Sequence, residues 1–81
     1  MAMKKRRWHK RLCILPEGQW ITVAQCNDIL RQSGIDVLTR SLSRVFSAAA
    51  ASKEGVHMRY IANNSREYRI YSMNQFLKSL E

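Results

Sequence analysis

Trp8, Leu12 and Leu15 recur at i, i+4 and i+7, the spacing of one helical face. This predicts a first helix over roughly residues 4–15. Pro16 and Gly18 stop it, and Trp20–Ile21 follow as a short extended piece. Val23, Cys26, Ile29 and Leu30 repeat the helical spacing and predict a second helix over about residues 23–32. Thr22 and Gln25 frame its start as a capping box, each side chain satisfying a backbone donor of the new helix. Gly34 suits the left-handed position just past its end. Asp36 is placed to cap a third helix. The apolar face of that helix is Leu38, Leu42, Val45, Phe46 and Ala49, clustered within roughly a third of a turn. Arg40, Ser43, Arg44 and Ser47 lie opposite, and Gly55 is the expected terminator.

From residue 56 to 71 the apolar period falls to two. "VHMRYIA" and "REYRIY" flank "NNS", which predicts a hairpin. A loop of Asn63–Ser65 pairs Tyr60 with Tyr68 and Met58 with Ile70. A two-residue Asn63–Asn64 loop would set Tyr60 against Glu67 and mix the two faces, so the pattern selects the odd loop. In that register Tyr60 and Tyr68 point inward, Tyr71 points outward, and Arg59 stands opposite Arg69. Ser72 and Gln75 then form a second capping box. Met73, Phe76, Leu77 and Leu80 make the apolar stripe of a short final helix.

The 81 residues suffice for one domain, with residues 1–7 as a basic arm and 8–81 as the folded unit. The net charge is +8, and "KKRRWHKR" at residues 4–11 carries six of the fourteen Lys and Arg. The remainder is nearly balanced, so the excess sits at one end and favours a polyanionic partner. "LCIL" is too short for a signal-peptide core or a membrane span, which points to the cytoplasm. His9, Cys13, Cys26 and His57 have no zinc-ligand spacing, so the two cysteines read as buried thiols in a reducing compartment. No acid or nucleophile stands at a recognisable spacing from either histidine, and no glycine-rich phosphate loop occurs. The expectation is a binding protein without cofactor or catalysis.

The order helix, short strand, helix, turn, helix, hairpin, helix resembles a winged helix-turn-helix domain over about residues 8–71. That fold is α+β, mainly α, with three helices, a two-stranded wing and a short C-terminal helix. "GQWITVAQCNDIL" is similar to the strand and second helix of many small bacterial regulators, and "SGIDVLTRSLSRVF" to their turn and recognition helix. "REYRIYSMNQFLKSL" resembles the wing and following helix of MerR-type regulators and phage excisionases. The connection "RQSGID" is longer than that of the short-turn helix-turn-helix pattern. The resemblance implies sequence-specific binding of double-stranded DNA near the nucleoid. The role would be a bacterial or phage transcription regulator or an excisionase-like architectural factor.

The residues supply their own physical case. Arginine is the commonest reader of guanine because its fork matches O6 and N7 in the major groove. Arg40 and Arg44 stand one helical turn apart, with the short hydroxyls of Ser43 and Ser47 beside them. Like charges facing each other across strands are destabilising, so Arg59 opposite Arg69 makes sense if the outer face meets phosphates. Removing either would then leave folding unharmed or slightly improve it. Arg66, Asn63 and Asn64 stand at or near the tip, and Lys4, Lys5, Arg6 and Arg7 would follow flanking phosphates. Trp8 reads as a core anchor rather than a stacking platform. RNA would answer to the same charges.

Two other readings belong to a different class. "IDVLTRSLSRVFSAAAASKEGVHMRYIANN", residues 35–64, resembles the helix and strand of DinI-type modulators of the RecA filament. Those proteins carry an acidic C-terminal helix, whereas "MNQFLKSLE" is not acidic, and their initial long strand is missing. A homodimer or adaptor could instead use Phe76, Leu77 and Leu80.

Overall fold

The computed structural model describes residues 7–62 and 65–80. In chain order these form η1 (Arg7–Ile14), β1 (Trp20–Ile21), α1 (Val23–Gln32), α2 (Thr39–Ala51), β2 (Val56–Tyr60), β3 (Arg66–Ile70) and α3 (Met73–Ser79). The three strands make one antiparallel sheet in the order β1-β3-β2. The class is therefore α+β, with four helical segments and three strands among the described residues. The expected two-stranded wing is part of a larger sheet: Trp20–Ile21 pairs with β3, Ile21 opposite Tyr68.

The first helical segment is 3-10 rather than α. Leu12 and Leu15 are both buried, and residues three apart eclipse in a three-residue turn. Trp8 is half-buried against this core, as expected of an anchor, and meets the His9 ring edge-on at 4.4 Å.

Helix α1 begins as its sequence requires. Thr22 Oγ1 accepts from Gln25 N at 3.1 Å, and Gln25 Oε1 accepts from Thr22 N at 2.9 Å. Its end is a Schellman motif. Gly34, at φ 79°, donates to Arg31 O, and Ile35 N donates to Leu30 O at 2.9 Å.

Helix α2 starts later than expected. Its N-cap is Leu38, with no side-chain bond, and Asp36 is exposed instead of capping. The reason lies in the connection. Ile35 and Val37 turn inward along an extended segment, so Asp36 and Leu38 alternate outward. Leu38 is consequently 68% exposed and does not belong to the apolar face of α2. That face is Leu42, Phe46 and Ala49, with Val45 at its margin.

The helix ends at Ala51 rather than at Gly55. Lys53 takes the left-handed position at φ 55°, and Glu54 N donates to Ala49 O at 2.8 Å. Gly55 has a different duty. Its carbonyl accepts from Tyr71 N and Ser72 N, and a Cβ there would lie 2.6 Å from Phe76 N. The glycine lets the start of α3 close onto the loop before β2.

The hairpin keeps the expected parity but not the expected partners. Val56 stands opposite Ile70, Met58 opposite Tyr68 and Tyr60 opposite Arg66. Ile61 N donates to Ser65 O at 2.8 Å, which closes the ladder two positions away from the anticipated register. A slip of two residues leaves every side chain on its face. It replaces the Arg59–Arg69 juxtaposition by Arg59 opposite Glu67 and His57 opposite Arg69. An opposite-charge pair and a hydrogen bond thus displace a like-charge contact. Tyr60, expected in the core, is 66% exposed because the hairpin extends past the helices.

Phe46, Tyr68 and Phe76 join the layers. Phe46 lies 5.2 Å from each of the other two ring centroids, so α2, β3 and α3 meet at one side chain. Ser72 Oγ accepts from Gln75 N at 3.2 Å, one half of the expected box, while Met73 N donates to Glu17 Oε2 at 2.6 Å. The stripe of α3 faces inward. Phe76 is fully buried, and Leu77 and Leu80 pack against the core. This corrects the expectation that Phe76 offers itself to a partner.

One cysteine departs from expectation. Cys26 is buried, but Cys13 is exposed. Burial pushes the Cys26 thiol up from 9.0 to about 12, so it stays protonated and inert at neutral pH. Native protein should therefore take up iodoacetamide at Cys13 alone, with Cys26 reacting only after unfolding. Mass spectrometry of the labelled chain checks this, and native labelling of Cys26 would contradict its burial. No helix among the described residues is long and apolar enough to cross a membrane.

Candidate nucleic-acid interface

Helix α2 owes its position to two layers of contact. Its inner face is held by Leu42 and Phe46, both fully buried. Its N-terminal end is tied to α1 by a hydrogen bond from Asn27 Nδ2 to Thr39 Oγ1 at 2.6 Å. Asn27 is the one buried polar residue of the described core, at 7% exposure. It falls between Cys26 and Leu30 on the inward face of α1, and a polar residue at an apolar position was the signal that could have found it. Replacing Asn27 by Ala should cost about 1 kcal/mol through the lost bond and leave α2 looser against α1. Urea denaturation reads the first effect. Unchanged stability would mean that packing alone orients the helices.

The outward stripe of α2 is Arg40, Arg44, Ala48 and Ala51, all exposed. Arg40 and Arg44 are about 6 Å apart along the axis, from the rise of an α-helix. Neither is bonded to a carboxylate among the described residues, so both guanidinium forks remain available. The small alanines beyond them leave room for a close approach. Ser43 is half-buried at the edge of this stripe. Ser47 does not join it: its Oγ lies 2.9 Å from Tyr68 Oη, so the hydroxyl links α2 to β3.

The wing arginines divide. Arg59 binds Glu67, with Nη2 and Nε both 2.8 Å from Oε1, and its guanidinium lies 4.2 Å from the Trp20 ring centre. Arg69 lies 4.9 Å from the same ring, and its Nη2 is 3.1 Å from His57 Nδ1. Both are therefore held on the outer sheet face by protein groups, Trp20 sharing them as a cation–π partner. Removing Arg59 should slightly weaken the fold, not leave it unharmed. Arg66 differs, being exposed with no ion pair among the described residues. It lines the same groove as Ala50 and Ala51, which places the wing beside the C-terminal end of α2.

The structure thus leaves Arg40, Arg44 and Arg66 as cations without an ion pair among the described residues, and commits Arg59 and Arg69 to protein partners. Asn63, Asn64, Lys4, Lys5 and Arg6 lie outside the described residues, as does the side chain of Arg7. No family model matches the chain, and neither a curated protein nor a solved structure matches it.

Proposed function

We propose that this chain is a winged helix-turn-helix protein that binds double-stranded DNA sequence-specifically. It would serve as a small bacterial or phage regulator or as an excisionase-like architectural factor. The observation that carries the reading is the pair Arg40 and Arg44, free and one turn apart on a helix whose other face is locked into the core. The sheet order β1-β3-β2, with helices before and between its strands, suits the same reading.

In this mechanism α2 enters the major groove, where an arginine fork can bond guanine O6 and N7. Arg66 and the basic N-terminal run neutralise flanking phosphates and add affinity without sequence preference. Occupancy of the site is the functional event. Selecting bound duplexes from a random DNA pool tests the proposal. Enrichment of a motif supports it; recovery of unenriched sequence at low salt only would overturn sequence-specific binding.

The phosphate contribution has its own measurement. Arg66→Ala should lower the slope of log affinity against log salt by about 0.9, the value for one phosphate contact. It should weaken preferred and random duplexes alike. Arg59→Ala should leave the slope nearly unchanged, because Glu67 already neutralises that side chain. Equal slopes for the wild type and Arg66→Ala would remove Arg66 from the interface.

A further inference from the structure

A groove lies away from Arg40 and Arg44 and touches the exposed stripe of α2 only at Ala51. It runs beside the edge strand β2, with a volume of about 770 Å³. Three aromatic side chains line it, Trp20, His57 and Tyr71, together with two cations, Lys53 and Arg66. No carboxylate of the described residues does. The His57 and Tyr71 rings are stacked, 4.2 Å apart and inclined by 28°, and both residues are exposed.

Two arrangements hold this surface ready. Arg69 bridges Trp20 and His57, and Tyr71 Oη donates to Lys53 O at 2.9 Å, so the rings are positioned without any ligand. The ladder supplies the second. Gly55 pairs with Tyr71 and Ile61 with Ser65, so the odd-numbered residues of β2 turn their backbone toward β3. The N–H and C=O groups of Val56 and Met58 therefore face away from the sheet, beside the groove. They are donors and acceptors of the kind that a base edge can meet.

We propose that this groove binds single-stranded nucleic acid. Unpaired bases stack on the Tyr71–His57 pair, and Lys53 and Arg66 hold the adjoining phosphates. Flat rings flanked by cations are the recurring chemistry of single-strand sites, because every base has a π-face and every linkage a negative charge. An extended acidic peptide added to the β2 edge would use the backbone groups and the cations but would leave the stacked rings without a role. The site shares Arg66 with the proposed duplex surface but neither Arg40 nor Arg44, so a failure at His57 and Tyr71 would not touch the duplex reading.

Fluorescence anisotropy of labelled oligothymidylate, about 12 nucleotides long to fit a typical single-strand site, tests the proposal with the full chain. A random duplex of equal length is titrated in parallel. His57→Ala and Tyr71→Ala should each weaken oligothymidylate binding by about 5- to 150-fold, the range for loss of one base–aromatic stack. Tyr71→Phe keeps the ring and should retain most of the affinity, which separates stacking from the Lys53 hydrogen bond. Duplex binding should stay close to that of the wild type in all three. Arg40→Ala combined with Arg44→Ala should keep oligothymidylate binding, and random-duplex binding should fall only by the two charges removed. Oligothymidylate affinity that is unchanged in both His57→Ala and Tyr71→Ala would overturn the proposal. So would His57-dependent binding of a polyglutamate peptide by a chain that does not bind oligothymidylate.

Discussion

Phe46→Ala is expected to lower the free energy of unfolding by about 3–5 kcal/mol, the usual range for emptying a buried aromatic site. Phe46 is fully buried, and its ring contacts Tyr68 on β3 and Phe76 on α3. Three elements lose a shared contact at once, so the site has little freedom to collapse around the void. A domain of this size holds roughly 4–12 kcal/mol in total, at the usual stability per residue. The variant should therefore be near its unfolding threshold at 37 °C. Phe46→Leu, which keeps most of the volume, should cost distinctly less. Urea denaturation followed by far-UV circular dichroism reads both. A loss below about 1 kcal/mol in Phe46→Ala would mean that the sheet and α3 pack together without this residue.

Most of the architecture could be read along the chain because it rests on local rules. The α1 boundaries followed from a capping box and a glycine C-cap, both decided within a few residues. The inward set Leu42, Phe46, Tyr68, Ile70 and Phe76 followed from periodicity alone. What escaped were choices between alternatives of equal local quality. Asp36 is a good cap, yet packing Ile35 and Val37 inward along an extended segment moved the cap to Leu38. Two hairpin registers preserve the same faces, and cross-strand chemistry at Arg59–Glu67 and His57–Arg69 separates them. Periodicity has no access to that chemistry.

The same limit shaped the candidate site. Arg40 and Arg44 were legible because the helical period assigns them to the face opposite Leu42 and Phe46. Arg59 and Arg69 were grouped with them on a register that would have left both without partners. In the structure Trp20, Glu67 and His57 hold these side chains, and Trp20 reaches them only through the pairing of β1 with β3. A two-residue strand carries too little pattern to announce such a pairing. Ser47 was misplaced for a related reason. Its position on α2 is near the boundary of the buried face, and only the tertiary approach of Tyr68 decides that its hydroxyl turns inward.

The largest functional effect is expected from Arg40→Ala combined with Arg44→Ala. Each fork lost from a guanine should reduce affinity for the preferred duplex by about 1–3 kcal/mol. The pair together should cost about 2–6 kcal/mol if both contact bases and act independently. Binding to random duplex should fall much less, since only two charges of a strongly basic chain are removed. The discrimination between preferred and random sequence is therefore the quantity to measure, at one fixed salt concentration. Both side chains are exposed and outside the packed face, so the variant should unfold at nearly the wild-type urea midpoint. Leu42→Ala supplies the contrast, with a cavity costing about 2–5 kcal/mol of stability and no direct loss of a base contact. Should the double arginine variant keep full discrimination while Leu42→Ala unfolds as expected, α2 would be a core helix and not the reader. The groove beside β2 and the basic N-terminal run would then be the remaining candidate surfaces for nucleic acid.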